Sequence, residues 1–122
     1  MATFVGGLGR ARQLLAERFG HAAFRVHQLK VLGPLLTGRS VLAVLPTGAG
    51  KSLCYQLPAL LARGLTLVIS PLISLMQDQV AALRRREIPA AYLNSLLSPG
   101  ERRAILDATL SGSLAQIGRA HV

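Results

Sequence analysis

L-A-V-L-P-T-G-A-G-K-S-L-C-Y-Q-L, Leu42 to Leu57, is the stretch on which the reading of this chain turns. An aliphatic run, Val41 to Leu45, stops at Pro46, passes through Thr47-Gly48-Ala49-Gly50 and restarts as a helical pattern at Lys51. Strand, glycine loop and helix form the setting in which G-K-[ST] means phosphate binding. Gly48 and Gly50 have no Cβ, so the backbone there can take positive φ and bring N–H groups close to a ligand. Those N–H groups and the positive end of the following helix form an anion nest. Lys51 adds a point charge for the terminal phosphates, and the Ser52 hydroxyl can ligate Mg²⁺ beside them. The general pattern wants a first glycine where this chain has Leu45. The alternative is a glycine-rich turn with a chance lysine. The pattern implies a site for a nucleoside triphosphate and Mg²⁺ lined by Thr47, Gly48, Ala49, Gly50, Lys51 and Ser52, with Lys51 and Ser52 in the catalytic roles.

The bulk composition sets bounds on the rest. A chain of 122 residues supports one small domain at most, and a hydrophobic content of 51% is enough for a core. No apolar run approaches the length that spans a bilayer. The N-terminus lacks the early positive region and apolar block of a secretory signal, although its arginine-rich, acid-poor start faintly resembles a transit peptide. Cys54 is the single cysteine, which excludes an intrachain disulfide and a cysteine-based zinc site and makes it a small apolar residue of the core. These features together lead to the expectation of a cytoplasmic protein. Fourteen basic residues against five acidic give a net charge of +9, which suggests a polyanionic partner, nucleic acid before membrane. An arginine-rich composition inherited from a GC-rich genome explains part of the same excess. With three Phe, two Tyr and no Trp, extensive base stacking is not expected.

Taken in order, Leu8, Ala11, Leu15 and Phe19 recur at helical spacing and predict a helix over about 10–19, stopped by Gly20. A second helix is expected over 26–36, bent or shortened at Gly33-Pro34. Val41 to Leu45 is the first strand. A helix follows the loop from Lys51 to about Ala62, kinked by Pro58 and stopped at Gly64. Leu65 to Ser70 is a continuous apolar run of strand length, which predicts burial on both faces of a parallel sheet. Ser70-Pro71 reads as N-cap and first position of the next helix, whose apolar stripe is Leu72, Met76, Val80 and Leu83. Arg84, Arg85 and Arg86 close that helix and complement its dipole. Ile88 to Leu93 is a third strand, weakened at its start by Pro89. Ser98-Pro99-Gly100-Glu101 is a capping box that opens a helix to about Leu110. Three strands alternating with helices, the first ending in the phosphate loop, predict an α/β domain with a parallel sheet and flanking helices.

Three blocks resemble the RecQ-type DNA helicases, whose motor consists of two RecA-like domains. F-G-H-A-A-F-R-V-H-Q, Phe19 to Gln28, is similar to that family's adenine-reading motif, with Val26-His27 where the family usually has Pro-Gly. L-P-T-G-A-G-K-S-L-C-Y-Q-L-P-A-L, Leu45 to Leu60, is similar to its phosphate loop, and P-T-G-x-G-K-S is the form that helicases commonly use. V-I-S-P-L-I-S-L-M-Q-D-Q-V, Val68 to Val80, looks like its motif Ia, and Leu93-Asn94-Ser95 also resembles the family. The resemblance covers roughly residues 12 to 115. It implies a RecA-like P-loop NTPase fold and the sites that go with it. Arg25 and Gln28 are then adenine-binding, because a Gln amide can donate to and accept from the adenine N6/N7 edge. Ser70, Pro71, Leu72 and Ser74 are implied to contact the backbone of single-stranded DNA. Helical capping and core packing are the alternative for that segment, with Leu72 and Met76 in the core.

What the chain lacks shapes the expected activity. It has no D-E-x-H block to hold Mg²⁺ and orient water, and no second RecA-like domain with an arginine finger. Phosphoryl transfer relies on those parts together, so this stretch is expected to bind nucleotide and hardly turn it over. After Ser111-Gly112-Ser113-Leu114-Ala115, the chain reads Gln116-Ile117-Gly118-Arg119-Ala120-His121-Val122. ATC GGA AGA GCA CAC GTC TGA encodes Ile-Gly-Arg-Ala-His-Val-stop and resembles the start of a widely used sequencing adapter. The expectation is therefore a truncated helicase ATP-binding domain over 1–116 and a non-native tail over 117–122, leaving Val41 to Leu45 without its neighbours. The resemblance implies a parent enzyme that unwinds DNA 3′ to 5′ by ATP hydrolysis, with single-stranded and duplex DNA as partners. Open alternatives are a non-enzymatic nucleotide- or nucleic-acid-binding fragment, and another P-loop enzyme such as a nucleotide kinase or a DEAD-box RNA helicase.

Overall fold

The computed structural model describes residues 4–46, 48, 50–112 and 116–120, the last five by backbone alone. It divides into two compact units, Met1–Arg63 and Gly64–Val122.

The first unit is helical. Its elements are α1 (Gly7–Phe19), α2 (Val26–Leu36) and α3 (Leu53–Leu61), and each packs on the other two. The helical spacing of the sequence is what closes this core: Ala11, Leu14, Leu15 and Phe19 of α1 are buried together with Val31 and Leu32 of α2 and Leu53, Cys54, Leu57 and Leu61 of α3. Helix α1 starts three residues earlier than its periodicity predicts and ends at Gly20, which takes positive φ and returns its N–H to the Leu15 carbonyl. Gly33-Pro34 does not shorten α2, which continues to Leu36 and closes with the Thr37 hydroxyl donating to the Pro34 carbonyl at 2.7 Å. Helix α3 begins two residues later than expected and carries Pro58 inside it. Burial pushes the Cys54 thiol pKa up by desolvation, so it stays protonated and packs as an apolar residue.

One expected strand is absent. Val41 to Leu45 forms no strand, and Leu42 is 92% and Val44 89% exposed. An isolated extended segment has no partner for its N–H and C=O groups other than water. Beyond a single Phe4–Ala62 bridge, the described residues of this unit offer no second strand to complete a ladder.

The second unit holds the sheet. Its elements are β1 (Thr66–Ser70), α4 (Ile73–Arg85), β2 (Ala90–Leu93), α5 (Pro99–Leu110) and β3 (Gln116–Ala120). The strand order is β1-β3-β2, and both pairings are parallel. β3 therefore runs through residues assigned above to the tail, and its ladder is made by backbone groups that any non-proline residue supplies. Helix α4 lies on β2 and β3 and buries Met76, Val80 and Leu83. Its last turn is tied to the sheet by Arg84, whose Nε donates to the Ala90 carbonyl at 2.9 Å. Asn94 follows β2 and is buried, its side-chain oxygen accepting from the Leu96 N–H at 2.8 Å.

Two expectations for β1 and its connection are corrected. The apolar run is not buried on both faces: Thr66, Val68 and Ser70 are half-buried, whereas Leu65, Leu67 and Ile69 are exposed. Alternation along a strand sends successive side chains to opposite faces, and here one face is half-buried and the other exposed. The cap of α4 is also displaced. Ser70 is still part of β1, paired with Ala120, so the helix is capped by Leu72 and begins at Ile73. Leu72 consequently lies 57% exposed and outside the core, while Met76 is buried as expected.

Helix α5 begins where the capping box places it. The Ser98 hydroxyl accepts from the Glu101 N–H and the Glu101 carboxylate accepts from the Ser98 N–H, both at 3.1 Å. None of the residues of α5 is buried, so local capping carries much of its stability. The bonds from Ser98 hold the Glu101 carboxyl below its ordinary pKa. A carboxyl with a lowered folded pKa stabilises above its unfolded value, and that contribution is lost as pH falls through the folded value. Acidification through this window should therefore lower the protection factors, corrected for intrinsic exchange, in the first turn of α5, a pH dependence that Glu101→Gln should not show. An unchanged exchange profile in both proteins would mean that the cap does not hold the helix.

Candidate nucleotide site

The predicted phosphate loop lies in the first unit, between α2 and α3. Gly48 has φ 82° and Gly50 φ 74°, the left-handed region that glycine enters without strain. The loop then enters α3 through Lys51 and Ser52, whose carbonyls accept from the N–H groups of Cys54, Tyr55 and Gln56 at 2.9–3.2 Å. With their carbonyls used by the helix, the residues of this turn have their N–H groups directed toward its N-terminal end, where the helix dipole favours an anion. Lys51 is exposed and Ser52 half-buried. The loop thus has the backbone form that suits a polyphosphate, with Lys51 for its charge and Ser52 for a nucleotide-bound Mg²⁺. Thr47 and Ala49, the other expected loop residues, lie outside the described residues.

The expected adenine-binding pair meets this loop directly. Arg25 is the N-cap residue of α2, with extended backbone (φ −74°, ψ 154°), so Val26-His27 opens the helix where the resembling family usually has Pro-Gly. The Arg25 Nη1 donates to the Gly48 carbonyl at 2.8 Å. One turn on, Gln28 is 5% exposed. Its Nε2 donates to the Gly50 carbonyl at 3.2 Å, and its Oε1 accepts from the Arg25 N–H at 2.8 Å. A Cβ added at Gly50 would lie 2.6 Å from the Gln28 Nε2, so only glycine fits there without displacing Gln28. Sequence reasoning placed Arg25 and Gln28 near a base and missed these contacts to the loop. The signal was a buried amide one helical turn from an arginine, a pattern that looks the same when both side chains are solvated.

The expected DNA-contacting residues occupy the connection between β1 and α4 in the second unit. Pro71, Leu72 and Ser74 are exposed and Ser70 half-buried, its hydroxyl accepting from the Leu72 N–H at 3.2 Å. They form a surface turn that ends at a helix N-terminus.

Comparison with known proteins follows the same stretch of chain. The sequence pattern of the family described as DEAD/DEAH box helicase matches residues 25–117. The ATP-dependent DNA helicase RecQ of Synechocystis sp. is 54% identical over 94 residues, which cover 77% of this chain and 20% of the relative. The RecQ protein of Haemophilus influenzae is 47% identical over 104 residues, covering 85% of this chain and 17% of the relative. A probable ATP-dependent DNA helicase RecS of Bacillus subtilis is 46% identical over 99 residues, covering 80% and 20%. The chain thus spans about a fifth of the length of these curated relatives. The phosphate loop and the pair that meets it fall within the matched residues, and the chain belongs to the DEAD/DEAH box helicase family, with RecQ-type helicases as its relatives.

Proposed function

We propose that this chain is part of the ATP-binding motor domain of a RecQ-type DNA helicase, a RecA-like P-loop fold that unwinds DNA 3′ to 5′ as the whole protein. The observation that carries the reading is the glycine loop entering α3, with Gly48 and Gly50 at positive φ and both carbonyls held from α2. In this reading Lys51 neutralises the terminal phosphates, Ser52 ligates the Mg²⁺ that accompanies ATP, and Thr47 and Ala49 complete the loop. Bound Mg²⁺ supplies neutralisation of developing charge on the phosphates. Arg25 and Gln28 meet the adenine. The alternative of a non-enzymatic binder describes the same stretch without its catalytic partners, since no D-E-x-H block is present in it. We place the parent in the cytoplasm, and among the described residues no helix is long and apolar enough to cross a membrane. We also assign residues 1–116 to the helicase domain and 117–122 to a foreign tail, a reading that rests on the likeness of Ile-Gly-Arg-Ala-His-Val to translated sequencing adapter. Genomic DNA carrying the same six final codons would refute that assignment.

Two experiments test the function. Mg²⁺-ATP should bind at least about tenfold more tightly than Mg²⁺-GTP, because guanine presents an acceptor where adenine offers N6–H. Equal affinities would remove adenine recognition. Single-stranded DNA should bind weakly and without sequence preference, with an affinity that falls steeply as salt rises, because counterion release dominates such contacts. Arg84 is a poor probe of this binding, since it is tied to the Ala90 carbonyl; Arg85 and Arg103 are exposed. Reversing Arg85 and Arg103 to Glu should flatten the salt dependence. The same slope before and after the change would leave these arginines as solvated helix residues.

A further inference from the structure

One face of helix α5 is uncovered among the described residues. The helix rests on β2, and its half-buried residues are Ile105, Ala108 and Thr109. Its other side borders a groove of about 460 Å³ lined by Leu97, Pro99, Arg103, Leu106, Asp107 and Leu110. Leu106 is 46% and Leu110 87% exposed, which leaves their apolar surface in water. Pro99, Arg103, Leu106 and Leu110 recur at steps of four, three and four residues. That is the spacing of a seam between two helices.

The charges of the groove select what fills it. Arg102 at its edge is engaged, its Nη2 donating to the Asn94 carbonyl at 3.4 Å. Arg103 and Asp107 are exposed, and among the described residues neither side chain has an ion-pair or hydrogen-bond partner. They stand one turn apart with the base N-terminal to the acid, the weaker order for a pair within one helix. A uniformly acidic or uniformly basic partner would set like charge against one of them. A second copy of the chain carries the same pair and satisfies both. We propose that α5 docks antiparallel on α5 of a second copy about a two-fold axis. With that axis midway between Arg103 and Asp107, each Arg103 meets the other copy's Asp107. The same symmetry brings each Leu110 beside the other copy's Pro99 and Leu97, and the two Leu106 side chains together at the centre. Every feature of such a contact is made twice, which is what two-fold self-complementarity requires. The helix has 12 residues and is about 18 Å long. A seam of that length is smaller than a standard interface, so the complex is weak, with a Kd on the order of 100 μM.

Sedimentation equilibrium of the full chain, from well below to well above that Kd, tests the proposal, with folding checked by circular dichroism. Leu110→Glu puts a charge into the apolar groove and should weaken self-association by about tenfold or more. Leu42→Glu, at an exposed aliphatic residue of the first unit, should associate like the parent. Arg103→Glu and Asp107→Arg each set like charges opposite one another across the axis, and each should weaken self-association by about tenfold. An equimolar mixture of these two variants restores both ion pairs and should associate within about threefold of the parent. All four positions are exposed, so the variants should keep the parent's fold. A chain that is monomeric at every concentration would overturn the proposal. So would association that survives Leu110→Glu or is lost in Leu42→Glu, or a mixture no tighter than either charge variant alone.

Discussion

Lys51→Ala should weaken binding of Mg²⁺-ATP by about 100-fold or more, while leaving the helical unit folded. Lys51 is exposed and precedes the first residue of α3, so no core contact is lost with its side chain. The loss falls on the ligand, because a single ammonium beside the terminal phosphates offsets charge that the backbone N–H groups meet only with partial dipoles. Lys51→Arg should recover part of the affinity, since the charge remains and its shape changes. Calorimetry on the three proteins checks this. Equal affinities across them would move the phosphate site away from Gly48–Ser52.

The second large effect concerns stability and separates two leucines that look alike in the sequence. Leu57 in α3 has no exposed surface, whereas Leu42 is 92% exposed. Leu57→Ala should cost about 2–5 kcal/mol of unfolding free energy through lost transfer and the cavity left behind. Leu42→Ala should stay within about 0.5 kcal/mol of the parent, as surface changes do. Urea unfolding followed by circular dichroism measures both. A cost of several kcal/mol at Leu42 would mean that Val41–Leu45 is a buried strand, as its aliphatic run suggested, and would contradict the structure.

Local chemistry in this sequence was legible, and pairing was not. The capping box at Ser98–Glu101, the stop at Gly20 and the bounds of α2 all depend on residues within one turn of each other, and the structure places them where the sequence does. Val41–Leu45 and Leu65–Ser70 have equally good aliphatic runs, yet only the second forms a strand. A strand exists only with a neighbour to take its backbone hydrogen bonds, and that partner is not encoded in the run itself. The same reason moved the cap of α4: Ser70 has the right side chain for a cap, but pairing with Ala120 keeps it in β1. At the candidate site, the glycine pattern announced the loop because few residues can take its backbone form. The link from Gln28 and Arg25 to that loop joins residues 22 and 23 apart in sequence, and no spacing rule reports such a contact.

If α2 and the glycine loop form one nucleotide site, as we propose, a bound nucleotide protects both. Hydrogen exchange measured by mass spectrometry on this chain, with and without saturating Mg²⁺-ATP, tests it most directly. New protection is expected in two segments together, residues 25–29 and 46–54, with Lys51→Ala abolishing both. Protection of neither segment, or of the 46–54 loop while 25–29 exchanges as before, would contradict it.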